Sequence, residues 1–254
     1  MSMQNRTLGF LLASVLSGYP DEGFEEYVRA LLADESLEEQ CRVSDVKIWP
    51  SLRSVLQECI SDSKRLFELS SDYIDIFDRA KQANPLYETE YGRSQIAKGG
   101  DLADIAGFYK AFGLQLNDES EAREMLDHVS REFEFYAILL MKQKKLEESA
   151  DHEGTQVVLE ARKKFLKDHL GRFVGTIACR PGVAGHVTYA AIFNWAKELV
   201  ADECKELDIL PILVGFSGSA EMNEAMSCGA TSSLNLSGRT AQERIRDLDS
   251  EVSS

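Results

Sequence analysis

Leu126-Asp127-His128-Val129-Ser130-Arg131-Glu132-Phe133-Glu134-Phe135-Tyr136-Ala137-Ile138-Leu139-Leu140 is the stretch that decides the fold class. Leu126, Val129, Phe133, Tyr136 and Leu140 step by three and four, which lays apolar side chains along one face of an α-helix, whereas a strand would alternate. A face of that kind must be buried against other helices, so the stretch predicts a bundle. The helix is expected to begin further back, at Asp118, where Glu121 three residues on completes a capping box with Asp in the Ser/Thr position.

The same spacing recurs outward in both directions. Towards the amino-terminus, a helix over 5–17 ends at Gly18-Tyr19-Pro20 and a second opens at Asp21, whose carboxylate can cap it. Pro50 suits the first turn of a third, and after Ser61-Asp62-Ser63 a fourth carries Leu66, Leu69, Tyr73, Ile76 and Phe77 on to Lys81. Gln82 to Asp101 reads as a long loop, and Leu102 to Phe112 as a helix ended by Gly113. Towards the carboxyl-terminus, Lys142 to Glu153 is a charged helix end or junction. Val157 to Leu170 is a helix with Arg162, Lys163, Lys164 and Lys167 on its outer face. Cys179-Arg180-Pro181-Gly182 breaks the chain before a last long helix over Val187 to Leu207. The fold class expected is all-α: a single-domain helical bundle over 1–216. Residues 217–254, with nine serines and three glycines, form a flexible tail with a short helix near Ala241 to Leu248.

Composition narrows the function. No apolar run approaches 18 residues and mean hydropathy is −0.25, which argues against a membrane span. Lys and Arg number 28 against 43 Asp and Glu, a net charge of −15 that repels nucleic acid and anionic lipid and favours cationic peptides. Five cysteines, an odd number without a Cys-x-x-Cys pair, fit a reducing cytoplasm. Leu8 to Leu16 resembles a signal-peptide core but lacks a small-x-small cleavage site after it, so it is read as a core helix. A di-iron bundle would need Glu three residues before His, and Met125, Ser149, Leu166 and Val183 stand there before His128, His152, His169 and His186. No metal, resident cofactor or catalytic residue is expected. Gly215-Phe216-Ser217-Gly218-Ser219 lacks the last glycine and the strand–turn–helix setting of a nucleophile elbow.

What remains is an acidic and aromatic constellation. Asp118 to Phe135 holds seven acids against Arg123 and Arg131, a local balance of −5. Most of these acids fit a solvated helix face, but Asp127-His128 lies beside the apolar stripe with Glu124 and Glu132 each four residues from the histidine. Close carboxylates would raise the His128 pKa and leave it partly charged near neutrality. The loop adds Pro85-Leu86-Tyr87-Glu88-Thr89-Glu90-Tyr91-Gly92. Rings beside carboxylates suit a guanidinium, with Glu88, Asp127 and neighbouring acids meeting arginines and Tyr87 and Tyr91 lining the floor. The bland alternative is a loop that its tyrosines merely anchor.

Four segments in order resemble the TorD/DmsD/NarJ-like chaperones that mature molybdenum-containing redox enzymes. They are Asp72 to Phe77, Pro85 to Tyr91, Ala103 to Tyr109, and Asp127 to Phe135, with a weaker fifth at Phe165 to Leu170. The most specific is Asp127 to Phe135, which is similar to the family's Asp-His-x-x-x-Glu-x-Glu-Phe stretch. The resemblance implies an all-helical cytoplasmic chaperone that binds the amino-terminal, often twin-arginine, leader of an apo-catalytic subunit. It would hold that subunit for insertion of the molybdopterin guanine dinucleotide cofactor and delay export, acting as a monomer or homodimer with neither nucleic acid nor integral membrane association. Pro85, Tyr87, Glu88, Tyr91, Asp127, His128 and Glu132 are the partner-binding residues expected. The rival readings are a structural or adaptor subunit of a redox complex, and an enzyme acting on nucleotides through the basic face at Arg162 to Lys167.

Overall fold

The structure, a computed structural model, describes residues 2–92, 95–114 and 125–216. Eleven α-helices follow one another among those residues: α1 (Met3–Ser17), α2 (Glu22–Ala33), α3 (Glu35–Gln40), α4 (Ile48–Cys59), α5 (Ser63–Tyr73), α6 (Gln95–Ala111), α7 (Val129–Glu148), α8 (His152–Phe165), α9 (Gly171–Ala178), α10 (Pro181–Ala184) and α11 (Val187–Glu206). Two wider π-type turns extend this set, Ile74–Arg79 after α5 and Leu166–Leu170 between α8 and α9. The single β pairing among the described residues is an antiparallel bridge between Tyr87 and His128. The all-α expectation is met. The tail over 217–254, with its short helix, lies outside the described residues.

Helix α7 carries the stripe that its spacing predicts: Val129, Phe133, Tyr136 and Leu140 are fully buried. Helix α1 lies along it and places Phe10 against Tyr136, ring centroids 4.5 Å apart. With Leu12, Ala13 and Leu16 also fully buried, the Leu8 to Leu16 stretch serves as core. Helix α11 packs on α1, α4 and α9, with Trp195 buried between Trp49 and the Cys41 carbonyl, to which its indole N–H donates at 2.9 Å. Asp21, Asp34, Asp62 and Asp151 cap their helices by accepting backbone N–H bonds.

Several boundaries differ from the expectation. Residues 115–124, including Asp118 and Glu121, lie outside the described set, but 125–128 are non-helical and α7 starts only at Val129. The reason is that His128 supplies the cap itself, its Nδ1 accepting from the Ser130 N–H at 3.2 Å. The loop expected up to Asp101 is shorter, because α6 begins at Gln95 and runs through Gly99 and Gly100. Helix α8 starts at His152, five residues before Val157, where Asp151 caps it. Arg162 is a correction of another kind. It is buried, not on an outer basic face: it donates to Gln143 Oε1 at 2.5 Å, lies 3.4 Å from the Tyr136 hydroxyl, and pairs with the buried Glu203 of α11. That removes the leading member of the basic face on which the nucleotide reading stood.

Candidate partner-binding site

Residues 85–91 are held open as a loop because their backbone bonds go to the segment just before α7. The Val129 N–H donates to Leu86 O at 2.9 Å and the Glu88 N–H to Asp127 O at 2.8 Å. Side chains tighten the joint. Asp127 Oδ2 accepts from the Thr89 hydroxyl at 2.7 Å, and the Tyr91 hydroxyl donates back to Pro85 O at 2.5 Å. Two stretches 40 residues apart in sequence therefore form one unit, and all seven expected site residues, Pro85, Tyr87, Glu88, Tyr91, Asp127, His128 and Glu132, belong to it or to the first turn of α7.

Their exposure is not what a surface patch would show. Pro85, Glu88, Tyr91, Asp127, His128 and Glu132 are buried, and Tyr87 alone is half-exposed. Tyr91 is no part of an open floor: it packs on Phe173 at 5.5 Å and on Phe216 at 6.1 Å, so it anchors the loop from behind. The face turned outward is made by Tyr87, Thr89 and Glu90.

His128 reverses its expected charge state. Burial, reinforced by the nearby Arg131, pushes its pKa down to about 3, because stripping water from an imidazolium costs more than any partner here returns. Glu132 cannot oppose this, since burial beside Glu88 and Asp127 pushes its own pKa well up and keeps it protonated. The neutral ring accepts at Nδ1 from Ser130, so its proton sits on Nε2 and points at the Tyr73 hydroxyl, 3.4 Å away. The Tyr87 ring stands edge-on to it at 5.1 Å.

Glu88 is the centre of a network that the spacing of residues could not reveal. Its Oε2 lies 3.0 Å from His169 Nδ1, whose other nitrogen is 3.2 Å from Asp104 Oδ2, and its Oε1 is 3.6 Å from the Arg172 guanidinium. Burial alone would lower the His169 pKa, but the hydrogen bonds and charges of Glu88 and Asp104 outweigh it and raise the value. Asp104 also pairs with Lys164, which reaches Asp168 at 3.4 Å. His169, Asp104 and Arg172 are thus the residues sequence reasoning missed as site members. The available signal was that Asp104 and His169 both lie in segments carrying the family resemblance, although 65 and 81 residues separate His169 from its two carboxylates.

Beside this network a hollow of about 270 Å³ opens to solvent, lined by Asp101, Asp104, Lys167, Asp168, His169, Arg172 and Ile212. A strap over 209–216 borders it, tied down by the Val214 N–H donating to Arg172 O at 3.1 Å and by the Thr176 hydroxyl donating to Val214 O at 2.9 Å. No described helix is long and apolar enough to cross a membrane. Residues 44–178, which include the loop, the Asp127 to Glu132 turn and His169, match the family model of the nitrate reductase delta subunit. No curated protein matches the chain.

Proposed function

We propose, from the premise that this chain belongs to the nitrate reductase delta subunit family, a family of chaperones for molybdoenzyme maturation and not of catalysts, that it reads the amino-terminal leader of an apo-catalytic subunit in the cytoplasm. Holding that leader keeps the subunit open for molybdenum cofactor insertion and delays its export. The observation that carries this reading is the pairing of the 85–91 loop with Asp127 to Val129, which gathers the family's most specific motif and its loop motif into one unit whose outer face is Tyr87, Thr89 and Glu90. Asp127, His128 and Tyr91 act as its frame, while Tyr87 and Glu90, whose carboxylate also pairs with Lys98 at 3.0 Å, stand on the outer face towards an arginine. A net charge of −15 hastens encounter with a cationic leader.

Titration calorimetry against synthetic amino-terminal peptides of the molybdoenzyme catalytic subunits from the source organism, at two salt concentrations, tests the reading. One leader should bind in a salt-sensitive way and lose affinity when its arginines become alanines. Tyr87→Ala should weaken binding by about tenfold by deleting a hot-spot ring, and Asp127→Ala should do the same by releasing Thr89 and the loop. Equal affinity in both variants would mean the leader binds elsewhere.

A further inference from the structure

Three buried carboxylate oxygens next to the loop have no hydrogen-bond donor among the described residues: Glu88 Oε1 and both oxygens of Glu132. Glu88 is 2% exposed and Glu132 is 0% exposed, so bulk solvent does not reach them. An oxygen buried without a donor is costly, because it has given up bulk water and received no partner in return. Burial and the Glu88 and Asp127 charges favour the protonated form of Glu132, and that proton, donated to Glu88, answers part of this demand. The third remains unsatisfied. What the place lacks is a cation with several donors and no acceptor, and among the described residues no group of His, Cys, Asp and Glu is arranged to hold a metal ion.

Arg172 indicates which cation fits. Its guanidinium already stands at the mouth, 3.6 Å from Glu88 Oε1, and donates to Asp168 O in the turn before α9, 2.8 Å away. Its side chain is 24% exposed and lies in the wall of the 270 Å³ hollow, so the one guanidinium touches both the hollow and Glu88. The strap at the rim turns Leu210 and Ile212 to solvent at 76% and 75% exposure, an apolar shoulder directly beside the charged hollow.

We propose that this hollow is a guanidinium subsite, in which an arginine of the bound leader takes the place of Arg172 against Glu88 and displaces the proton shared with Glu132, while the apolar residues after that arginine lie on the Leu210–Ile212 shoulder. This rests on the leader-binding reading and adds where the arginine goes and what leaves when it arrives. In the exchange the Glu132 O–H bond breaks, the proton passes to solvent, and the guanidinium enters already charged. Arg172 swings outward. One cation has replaced one proton between the two carboxylates, and five N–H donors in a plane now face the three bare oxygens, which a lysine ammonium could not match. The charged groups facing Glu132 are Glu88 from the loop, Asp127 from the turn before α7 and Arg172 from α9, with Tyr109 of α6 close by and His169 reaching it through Glu88.

The test is calorimetry on the full chain with an amidated peptide of two arginines followed by four leucines, and with its two-lysine counterpart, at pH 7 in two buffers of different ionisation enthalpy. The arginine peptide should bind about tenfold tighter than the lysine peptide and release about one proton. Glu132→Gln, with unchanged circular dichroism, should bind more weakly and release none. Arg172→Ala, which empties the mouth without touching the carboxylates, should bind several-fold tighter. If the arginine peptide binds with the same proton count in wild type and Glu132→Gln, or if Arg172→Ala binds more weakly, the subsite is wrong while leader binding stands. If neither wild type nor Arg172→Ala binds the peptide or any client leader, the reading beneath it fails as well.

Discussion

His128 and Glu132 sit four residues apart and oppose each other in their response to pH. The folded-state pKa of His128 is depressed to about 3 by burial and by Arg131, so its contribution is full above the unfolded value near 6.5. That contribution drains away as pH falls from there towards 3, by at most about 1.4 kcal/mol per unit. Glu132 is raised by burial, Glu88 and Asp127, so its contribution is full below its unfolded value and is lost as pH climbs through the folded one. Urea unfolding from pH 3.5 to 9 should therefore show two separable limbs. His128→Asn, which preserves a capping side chain, should flatten the acid limb, and Glu132→Gln the alkaline one. An unchanged acid limb in His128→Asn would mean that other groups cause it. Sequence alone pointed to His128 but gave it the wrong charge, because the four-residue spacing to Glu132 says nothing about whether that carboxyl is ionised.

At the scale of elements, α6 marks where local signals misled. Gly99-Gly100 and its polar neighbours read as loop, since each glycine costs a helix interior about 1 kcal/mol relative to alanine. The helix forms regardless because Ile105 and Tyr109 are buried and Asp104 is engaged by His169 and Lys164. A Cβ added at Gly99 or Gly100 would meet nothing within 4 Å. Ala at both should thus stabilise the protein, by about 0.5–1 kcal/mol each, as a higher urea midpoint with an unchanged slope. A lower midpoint would show that the glycines serve a close approach by something else. The α1, α5, α7 and α11 stripes, by contrast, were legible because a 3.6-residue period carried over several turns outweighs any single residue, and Gly113 ends α6 at φ +79° as its identity suggests.

For the molecule as a whole, one buried polar knot ties together helices distant in sequence. Arg162 of α8 meets Glu203 of α11, Gln143 and Tyr136 of α7, and through Glu203 the Arg6 guanidinium of α1 at 3.5 Å. Removing one side of such a pair strands the other in a dry interior. Arg162→Ala should cost about 3–5 kcal/mol, read by thermal or urea unfolding, whereas pairing Arg162→Met with Glu203→Leu should recover much of that loss. If Arg162→Ala unfolds like wild type, the pair is not closed in solution. No periodicity could have revealed this knot: Arg162 stands in a run of basic residues, and only the third dimension separates it from Lys163 and Lys164. The charge surplus, the helical class and the motif segments were legible from one chain, whereas partners 26 to 81 positions apart became visible only once the helices were packed.

The strap over 209–216 also has a consequence in time. Phe216 rests on Tyr91 and beneath the Arg180 guanidinium at 4.3 Å, and Val214 is pinned to α9, so the backing of the 85–91 loop is built from residues translated long after it. A ribosome delivers the loop, the Asp127 turn and His169 before the strap, so the recognition unit emerges ahead of the residues that back it. A nascent chain would carry its reading surface without the clasp that steadies it until residues 209–216 had been made, and a client could not be engaged in its final form until that clasp had emerged.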